Sequence, residues 1–182
     1  MSLQPTLEGP TLRLRPLRRQ DYDALYAVAR DPEIWALHPA HDRWQEPVFR
    51  RFFAKALDSG GALVAEDRTG AVIGSSRFYR EHTDDPDEIE LGYTFLARTH
   101  WGGATNRELK RLMLGHAFTF ARTALFSIGE TNLRSRRAME KIGGWLTDRR
   151  FVVELNGQPM AHLVYAITAK EFARGPLMRG GD

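Results

Sequence analysis

The chain has 182 residues, of which 42% are apolar, so its length and composition suit one globular domain with a core of its own. It contains no cysteine, which excludes disulfide bonds, thiolate metal sites and a cysteine nucleophile. The formal net charge of +3 is a mild excess that favours an anionic ligand without indicating a polycationic protein.

The first half of the sequence predicts one strand, two helices and a hairpin. Alternating apolar and basic residues indicate a strand over 12–17. Helical spacing in RRQDYDALYAVARD indicates a helix that ends before Pro32, and a second helix is predicted from about Pro47 to Gly60. ALVAED and AVIGSSRFYR, separated by the turn RTG, are typical of a β-hairpin.

The second half alternates strands with helices. An acidic loop, EHTDDPDE, leads into the strand IELGYTFL, where strict alternation places Ile89, Leu91, Tyr93 and Phe95 on one face and Glu88, Glu90, Gly92 and Thr94 on the other. A loop with two glycines precedes a long amphipathic helix. The strand LFSIGE, the helix NLRSRRAMEKIGG and the strands WLTDRRFVVEL and MAHLVYAIT follow, the last two joined by the turn NGQ.

These elements predict one α/β or α+β domain with a mixed sheet. The sequence contains no internal repeat and no low-complexity linker. We expect the domain to span residues 1–174 and residues 175–182 to form a flexible C-terminal tail.

Two glycines, Gly102 and Gly103, stand directly before the predicted long helix. One explanation is a turn between a strand and a helix. The other is that side chains are absent so that phosphates can reach the N–H groups and the partial positive charge of a helix start. Neither GxxxxGK[ST] nor a GxGxxG after a strand is present. The glycines alone leave both explanations open.

The flanking segment, ELGYTFLARTHWGGATNREL, resembles the acyl-CoA-binding segment of the GNAT N-acetyltransferases. It is most similar to the RimJ/RimL-like branch of ribosomal-protein N-terminal acetyltransferases, which carries an LGY or IGY strand, then WGxGxA and an acidic residue. The matching residues are Leu91-Gly92-Tyr93, Trp101-Gly102-Gly103-Ala104 and Glu108, while Thr99 stands where the family has Gln or Arg. Downstream, the N-x-x-S-x-x-x-x-x-x-x-G segment of the branch is matched by Asn132, Ser135 and Gly143.

The resemblance covers about residues 8–172 and implies a single-domain GNAT-like fold, with a central mixed, mostly antiparallel sheet flanked by helices. It implies an N-acetyltransferase that uses acetyl-CoA and no metal, and that transfers the acetyl group directly in a ternary complex. The expected acceptor is a primary amine, with a peptide or protein N-terminus ahead of small amines, and a homodimer is left open. The residues expected to bind acetyl-CoA are Trp101, Gly102, Gly103, Ala104, Thr105, Asn106 and Asn132.

Three residues are candidates for proton transfer. Glu90 is the first candidate base, because it shares a strand face with Gly92 beside the place where the family's acetyl group lies; the alternative is a solvated edge carboxylate. Glu130, at the end of the neighbouring strand, is the second candidate base. Ser135 resembles the branch's serine near the sulfur, a proton donor to the leaving thiolate, with a helix-surface hydroxyl as the alternative. Tyr165 is either a competing acid or a core residue.

Other residues have two explanations each. Gly92 either permits a bulge that turns an N–H toward the thioester or is a packing glycine. Asn132 either bonds the pantetheine arm or caps the following helix, and both roles are compatible. The acidic loop either attracts a cationic amine or is only solvated. Basic residues that meet the adenosine phosphates or form a solvated face are Arg134, Arg136, Arg137 and Lys141. The residues expected to border the acceptor groove are Trp35, Trp44 and the arginine of HPAHDRW, Arg43, with the core as the alternative for the two tryptophans.

Further partners and the compartment follow from simple patterns. The N-terminus, MSLQPTLEGP, lacks the pattern of a secretory signal and no apolar run approaches a membrane span, so we expect a cytoplasmic protein without a membrane partner. The arginines are dispersed among acidic residues, so we expect no nucleic-acid partner. His38 and His41 are close together but lack a third ligand, so we expect no metal site. The alternative function is a non-catalytic acyl-CoA-binding sensor or scaffold of the same fold.

Overall fold

The computed structural model describes residues 2–155 and 157–179. Its strands are β1 (Leu7–Glu8), β2 (Leu12–Pro16), β3 (Ala62–Asp67), β4 (Val72–Tyr79), β5 (Glu88–Leu96), β6 (Thr123–Gly129), β7 (Trp145–Leu155) and β8 (Gln158–Thr168). The strands form one sheet in the order β1-β2-β3-β4-β5-β6-β8-β7. Only β5 and β6 are parallel, and every other neighbouring pair is antiparallel. The predicted mixed, mostly antiparallel sheet is therefore confirmed.

The helices are α1 (Tyr22–Ala29), α2 (Glu46–Asp58), α3 (Ala104–Ala117), α4 (Leu133–Lys141) and α5 (Ala169–Arg174). The first four agree with the periodicity of the sequence, whereas α5 was not predicted. Its signal is the pair Thr168 and Glu171: the Thr168 hydroxyl accepts a hydrogen bond from the Glu171 N–H at 3.2 Å, and the Glu171 carboxylate accepts one from the Thr168 N–H at 2.8 Å. This reciprocal capping box starts the helix directly after β8.

Two apolar clusters lie on opposite faces of the sheet. On one face, which we call the α1–α2 face, Leu25 of α1 and Phe49 of α2 pack against Val64 and Phe95 of the sheet. On the other, the α3–α4 face, the buried residues come chiefly from the sheet, α3 and α4; they include Leu12, Leu63, Ile89, Leu109, Met113, Met139 and Ile142. The sheet thus lies between two apolar clusters. Burial of both of its faces stabilises the fold.

A β-bulge interrupts β5 at Tyr93. Between Gly92 and Phe95, β5 has one residue more than the facing part of β4, and Tyr93 has a left-handed φ of 53°. The rings of Tyr93 and Phe95 consequently contact α2 on the α1–α2 face, while Thr94 accepts a hydrogen bond from Lys110 of α3. The predicted strict alternation is therefore wrong beyond Gly92, because the extra residue reverses the faces.

The parallel strands β5 and β6 separate after their first three residues. Their pairing ends at Glu90 and Leu125, beyond which β5 pairs only with β4 and β6 only with β8. An opening in the sheet, which we call the gap, lies between residues 91–96 of β5 and 126–129 of β6. The sheet therefore has an opening between β5 and β6 that faces both of its sides.

The connection between α1 and α2 covers the gap on the α1–α2 face. The ring of Trp35 lies 5.2 Å from that of Phe95 on β5. Pro39 packs against Gly129 on β6 so closely that a Cβ at Gly129 would lie 2.4 Å from the proline ring. The connection thus reaches from one edge of the gap to the other.

Glu108 fastens α3 to the first part of the sheet. Its carboxylate accepts hydrogen bonds from the N–H groups of Thr11 at 2.9 Å and Leu12 at 3.3 Å, and from the Thr11 hydroxyl. The acidic residue at this helix position therefore has a structural function, because it satisfies backbone donors at the start of β2.

The segment predicted to be a flexible tail, 175–182, is described as far as Arg179. Leu177 is buried in the cluster on the α3–α4 face, and the carbonyl of Pro176 accepts a hydrogen bond from Arg107 at 2.7 Å. The first part of the segment is thus packed on the domain, because Leu177 buries apolar surface there. Residues 180–182 lie outside the described residues, as does Asn156 of the predicted NGQ turn.

Candidate functional site

A cavity of about 490 Å³ occupies the gap. The residues that line it come from both faces of the sheet. From the α1–α2 face and the connection above it they include Ile34, Trp35, His38, Arg43 and Tyr93. From the α3–α4 face they include Trp101, Gly102, Asn106, Lys110, Asn132, Ser135, Ala138 and Met139. Two ligands that approach from opposite faces can therefore meet between the strands.

The two glycines before α3 have different reasons for being glycine. Gly102 has a φ of +71°, a conformation that side chains disfavour. Gly103 is the N-cap of α3 with a φ of −110°, and a Cβ built on it meets no protein atom within 4 Å. Neither backbone geometry nor packing requires glycine at 103. The positive φ therefore gives Gly102 a turn explanation, whereas at Gly103 the structure shows only open space at the helix start.

The start of α3 has exposed, uncapped N–H groups. In the described loop and first turn, no side chain caps the helix and no acidic residue is present. Trp101 fixes the loop by donating from Nε1 to the carbonyl of Leu96 at 2.9 Å, and the guanidinium of Arg134 lies 4.2 Å from the Trp101 ring centre. Unpaired N–H groups and the helix dipole favour an anionic group at this point.

The expected cofactor-binding residues fall into two groups. Trp101, Gly102, Asn106 and Asn132 line the cavity. Gly103, Ala104 and Thr105 do not line it but form the helix start next to it. The loop and the first turn of α3, together with Asn132 at the start of α4, thus place these residues on the α3–α4 face, in or next to the cavity.

Asn132 and Ser135 stand at the start of α4. The Asn132 side chain accepts a hydrogen bond from the Ser135 N–H at 3.2 Å, which confirms that Asn132 caps the helix. Asn132 is 4% exposed, and both residues line the cavity. The cap therefore also directs α4 into the cavity wall, opposite the start of α3.

Glu90 lies fully buried behind the cavity wall. Its carboxylate accepts hydrogen bonds from the N–H groups of Glu81 at 2.6 Å and His82 at 2.7 Å. His82 Nδ1 lies 3.1 Å from it, and the Ser127 hydroxyl donates to it at 3.3 Å. Because Glu90 is fully buried, the solvated-edge alternative is wrong. Ser127 lines the cavity and Glu90 does not, so the Ser127 hydroxyl connects the carboxylate to the cavity.

The other candidate acids and bases lie elsewhere. Glu130 is exposed at the end of β6 and does not line the cavity. Tyr165 is 1% exposed within the core cluster of the α3–α4 face, and its hydroxyl bonds Arg136 at 3.1 Å. Arg136 is thus engaged within the fold. The structure brings Ser135 and, through Ser127, Glu90 to the cavity, but neither Glu130 nor Tyr165.

Gly92 stands directly before the bulge and is also a packing glycine. The bulge falls on the next residue, Tyr93, and a Cβ at Gly92 would lie 2.8 Å from the hydroxyl of Tyr79. The absent side chain therefore makes room for Tyr79 beside the bulge.

Trp35 and Trp44 differ in position. Trp35 is 2% exposed, lines the cavity and donates from Nε1 to the Ala29 carbonyl at 2.7 Å. Trp44 is 40% exposed and is not among the cavity residues. The groove and core explanations therefore both apply to Trp35.

Sequence reasoning missed Lys110 as a cavity residue. It is 7% exposed, and its Nζ donates to the Thr94 hydroxyl at 2.9 Å and lies 5.2 Å from the Phe126 ring centre. Burial lowers the pKa of Lys110 to about 8, because the charged form loses its hydration. The available signal was the spacing of four residues from Asn106, which places both side chains on one side of α3.

Of two arginines on the α1–α2 face, Arg43 was expected from the sequence to border the acceptor groove, whereas Arg77 was missed. Arg43 lines the cavity, and burial lowers its pKa to about 10. Arg77 is 4% exposed, and burial lowers its pKa as well. His38, which also lines the cavity, has a pKa well below its ordinary value for the same reason. Basic side chains therefore lie at the end of the cavity away from the α3 start.

The acidic loop is partly neutralised by arginines. Arg149 lies 3.4 Å from a carboxylate oxygen of Asp84 and 2.9 Å from one of Glu88, and Arg122 lies 3.0 Å from one of Asp87. These pairs reduce the charge that the loop presents to an approaching amine.

Two searches concern the described part of the chain only. Over 2–155 and 157–179, no helix is long and apolar enough to cross a membrane. Within the same ranges, no group of three or more histidine or acidic side chains is arranged to hold a metal ion.

Comparisons with known proteins agree with this architecture. A GCN5-related N-acetyltransferase from Brucella melitensis superposes with a TM-score of 0.77 at 21% identity, over 93% of this chain and 80% of that chain. RimJ of Mycobacterium smegmatis, solved in complex with CoA-disulfide, superposes with a TM-score of 0.74 at 19% identity, over 97% and 93%. An acetyltransferase from Agrobacterium tumefaciens does so with 0.66 at 26% identity, over 90% and 94%. Among curated proteins, none matches the chain in sequence.

The sequence itself matches a family model over most of its length. Residues 11–144 match the acetyltransferase (GNAT) domain, a range that includes the gap, the α3 start and α4. This range contains the residues that line the cavity on both faces, apart from His162. The chain therefore belongs to the GNAT family of acetyltransferases.

Proposed function

We propose that this protein is an acetyl-CoA-dependent N-acetyltransferase that moves an acetyl group to a primary amine by direct transfer in a ternary complex. The observation that carries the proposal is the cavity in the gap, which is lined from both faces of the sheet. Acetyl-CoA supplies an acetyl thioester, and the reaction forms an amide C–N bond as the C–S bond breaks.

The α3–α4 end of the cavity fits acetyl-CoA. The start of α3 presents N–H groups without a side-chain cap, and the open space at Gly103 lets a pyrophosphate approach the backbone. The binding residues are assigned to the loop, the first turn of α3 and the α4 cap: Trp101, Gly102, Gly103, Ala104, Thr105, Asn106 and Asn132. Ser135, beside Asn132 in the cavity wall, is assigned as the proton donor to the leaving thiolate.

The amine enters from the α1–α2 face and gives up its proton there. Ser127 lines the cavity and already donates a hydrogen bond to Glu90. The Ser127 hydroxyl can therefore accept the amine proton while it passes its own to Glu90. His82 lies 3.1 Å from the same carboxylate and is partly exposed, which completes a route to solvent. Glu130, exposed and away from the cavity, is the weaker candidate base.

The finer assignment within the family is the RimJ/RimL-like branch, with a peptide or protein N-terminus as the preferred acceptor. It is supported by the motifs WGGA and N-x-x-S and by the likeness to the Mycobacterium smegmatis RimJ. A cytoplasmic location and a homodimer belong to the same proposal. Fold alone does not determine the acceptor of an acetyltransferase.

The second candidate function is a non-catalytic acyl-CoA-binding sensor or scaffold. It is favoured by Thr99, which replaces the Gln or Arg of the family loop, and by the position of Glu90 behind the cavity wall. Such a protein keeps the acetyl-CoA end of the cavity without the proton route.

Thioester consumption separates the two functions. The protein is mixed with acetyl-CoA and a panel of peptides with free N-termini, small free amines and polyamines, and the CoA thiol and the acetylated amine are both measured. We expect thiol release matched by one amide per thiol, with peptide N-termini among the substrates. Binding of acetyl-CoA without transfer to any amine supports the sensor instead, and transfer to small amines alone contradicts the peptide acceptor.

A further inference from the structure

We propose that the amine acceptor carries an anionic group, a carboxylate, which binds to Arg43 with Arg77 behind it at the α1–α2 end of the cavity. This inference rests on the proposed function, because it names the class of acceptor that the same site takes. The argument starts from the two guanidinium groups.

Arg43 presents its charge to the cavity on an aromatic floor. Its guanidinium carbon lies 4.6 Å from the centre of the Phe52 ring and 5.5 Å from that of Trp35. Its Nη1 lies 3.4 Å from His38 Nε2. Ring faces and a largely neutral imidazole hold the guanidinium in position but do not neutralise it.

Arg77 lies behind the cavity wall, on the same aromatic residues. Its guanidinium carbon is 4.2 Å from the centre of the Tyr93 ring and 5.8 Å from that of Phe52. Its Nε is buried and has no hydrogen-bond partner among the described residues. Because both guanidinium groups contact Phe52, the two positive charges share one small region of the fold.

The bulge in β5 creates this arrangement. The left-handed residue, Tyr93, turns its ring onto the α1–α2 face. There the ring centre lies 4.2 Å from the Arg77 guanidinium carbon and 6.2 Å from the Phe52 ring centre. Non-glycine residues with positive φ are uncommon and cluster at functional sites. The bulge therefore places the Tyr93 ring, which Arg77 contacts, on the face from which the amine acceptor is proposed to enter.

Acidic side chains also act on the two arginines. Asp42 precedes Arg43 in the chain and favours its charged form. Glu81 is exposed and accepts a hydrogen bond from the Tyr93 hydroxyl at 3.4 Å. Even with these carboxylates, burial lowers the pKa of both Arg43 and Arg77, so the protein compensates their charges only in part.

A carboxylate on the acceptor supplies the missing compensation. Buried guanidinium groups are costly unless paired, and Arg pairs with carboxylates through two parallel hydrogen bonds. An acceptor held in this way presents its amine toward Ser127, which lines the same cavity. The carboxylate has two sources, the α-carboxylate of a free amino acid or an acidic side chain near the N-terminus of a peptide.

The test compares matched acceptors with and without the charge. The pairs are alanine with alaninamide, and the peptide Ala-Glu-Ala-amide with Ala-Gln-Ala-amide. Their binding to the CoA-saturated protein is measured by calorimetry, and their acetylation by thiol release. The carboxylated member of at least one pair is expected to bind and react about tenfold to a hundredfold better, the effect of a charged hydrogen-bonded pair. The pair that shows the preference identifies the source.

Variants connect the preference with Arg43. Arg43→Gln is expected to abolish the preference, so that the carboxylated and uncharged members of each pair bind the variant with similar affinity. Arg51→Gln removes an exposed arginine of α2 and is expected to change nothing. Equal affinity of the wild-type protein for both members of both pairs overturns the inference without reference to any variant. A calorimetric preference without acetylation of any amine supports it while contradicting the proposed function.

Discussion

Replacing Glu90 by glutamine is expected to lower kcat by about 10²- to 10⁴-fold, the usual contribution of a general base. The carboxylate accepts the hydrogen bond from Ser127, and in the proposed function it is the group that receives the amine proton. CoA affinity is expected to stay close to that of wild type, because the CoA end of the cavity lies on the opposite face. Steady-state kinetics and calorimetry measure the two quantities.

Glu90 also accepts two backbone hydrogen bonds, so a second variant that leaves those bonds in place is needed. Ser127→Ala interrupts the proton route without touching them and is expected to lower kcat in the same direction. Glu130→Gln is the matched control, since Glu130 is exposed. Full activity of the Glu90 variant together with an inactive Glu130 variant would transfer the assignment to Glu130.

Replacing Lys110 by methionine is expected to raise the free energy of unfolding at pH 7. Burial lowers the pKa of Lys110 to about 8, below about 10.4 in an unfolded chain. Between these values the unfolded state binds more protons, so the wild-type protein gains stability as the pH rises, and the full penalty applies below pH 8. The shift corresponds to about 3 kcal/mol, from which loss of the hydrogen bond to Thr94 subtracts about 1 kcal/mol.

Denaturant unfolding at pH 7 and at pH 10 measures this effect. The stability difference between the variant and the wild type is expected to shrink at pH 10, where the wild-type lysine is neutral in the folded state. Lys55→Met, on an exposed position of α2, controls for the loss of one charge. A variant that is less stable than wild type at pH 7, or a difference independent of pH, would show that the buried ammonium is not a cost to the fold.

Most of the sheet and the helices followed from local patterns, because alternation and helical spacing report which side of an element is buried. The end of β5 did not follow. In a bulge, one strand has an extra residue opposite its partner, here β5 opposite β4. Gly92 left a bulge open as one of two explanations, but nothing in IELGYTFL distinguishes Tyr93 as the extra residue. The helix α5 was missed for a different reason. Its capping box, Thr168 to Glu171, is present in the sequence, but the helix has only 6 residues and so shows little helical spacing.

The sequence predicted the candidate site most fully on the α3–α4 face, where glycines and helix starts form the binding surface. Paired glycines before a helix, with WGGA and N-x-x-S, located the α3 start and the α4 cap. On the α1–α2 face the segment HPAHDRW directed attention to Arg43, whereas Arg77 and Ser127 come from other elements, and only tertiary packing brings them close to it. Lys110 resembles a solvated helix lysine until the packing of β5 and β6 around it is known.

The central claim is that acetyl-CoA binds with its pyrophosphate at the start of α3, and two glycines of this helix region test it most directly. Gly103 and Gly115 both have open space where a Cβ would lie, so the Cβ of a valine at either position meets no other part of the fold within 4 Å. Calorimetry of CoA with Gly103→Val and Gly115→Val is therefore a matched comparison. For the wild type, CoA at a hundred times its Kd is expected to stabilise the fold by about 2.7 kcal/mol.

The account predicts that Gly103→Val weakens CoA binding by about tenfold or more, the equivalent of one lost charge-assisted hydrogen bond, while Gly115→Val binds like the wild type. Equal CoA affinity of the two variants, or no binding of CoA to the wild-type protein at all, would contradict it.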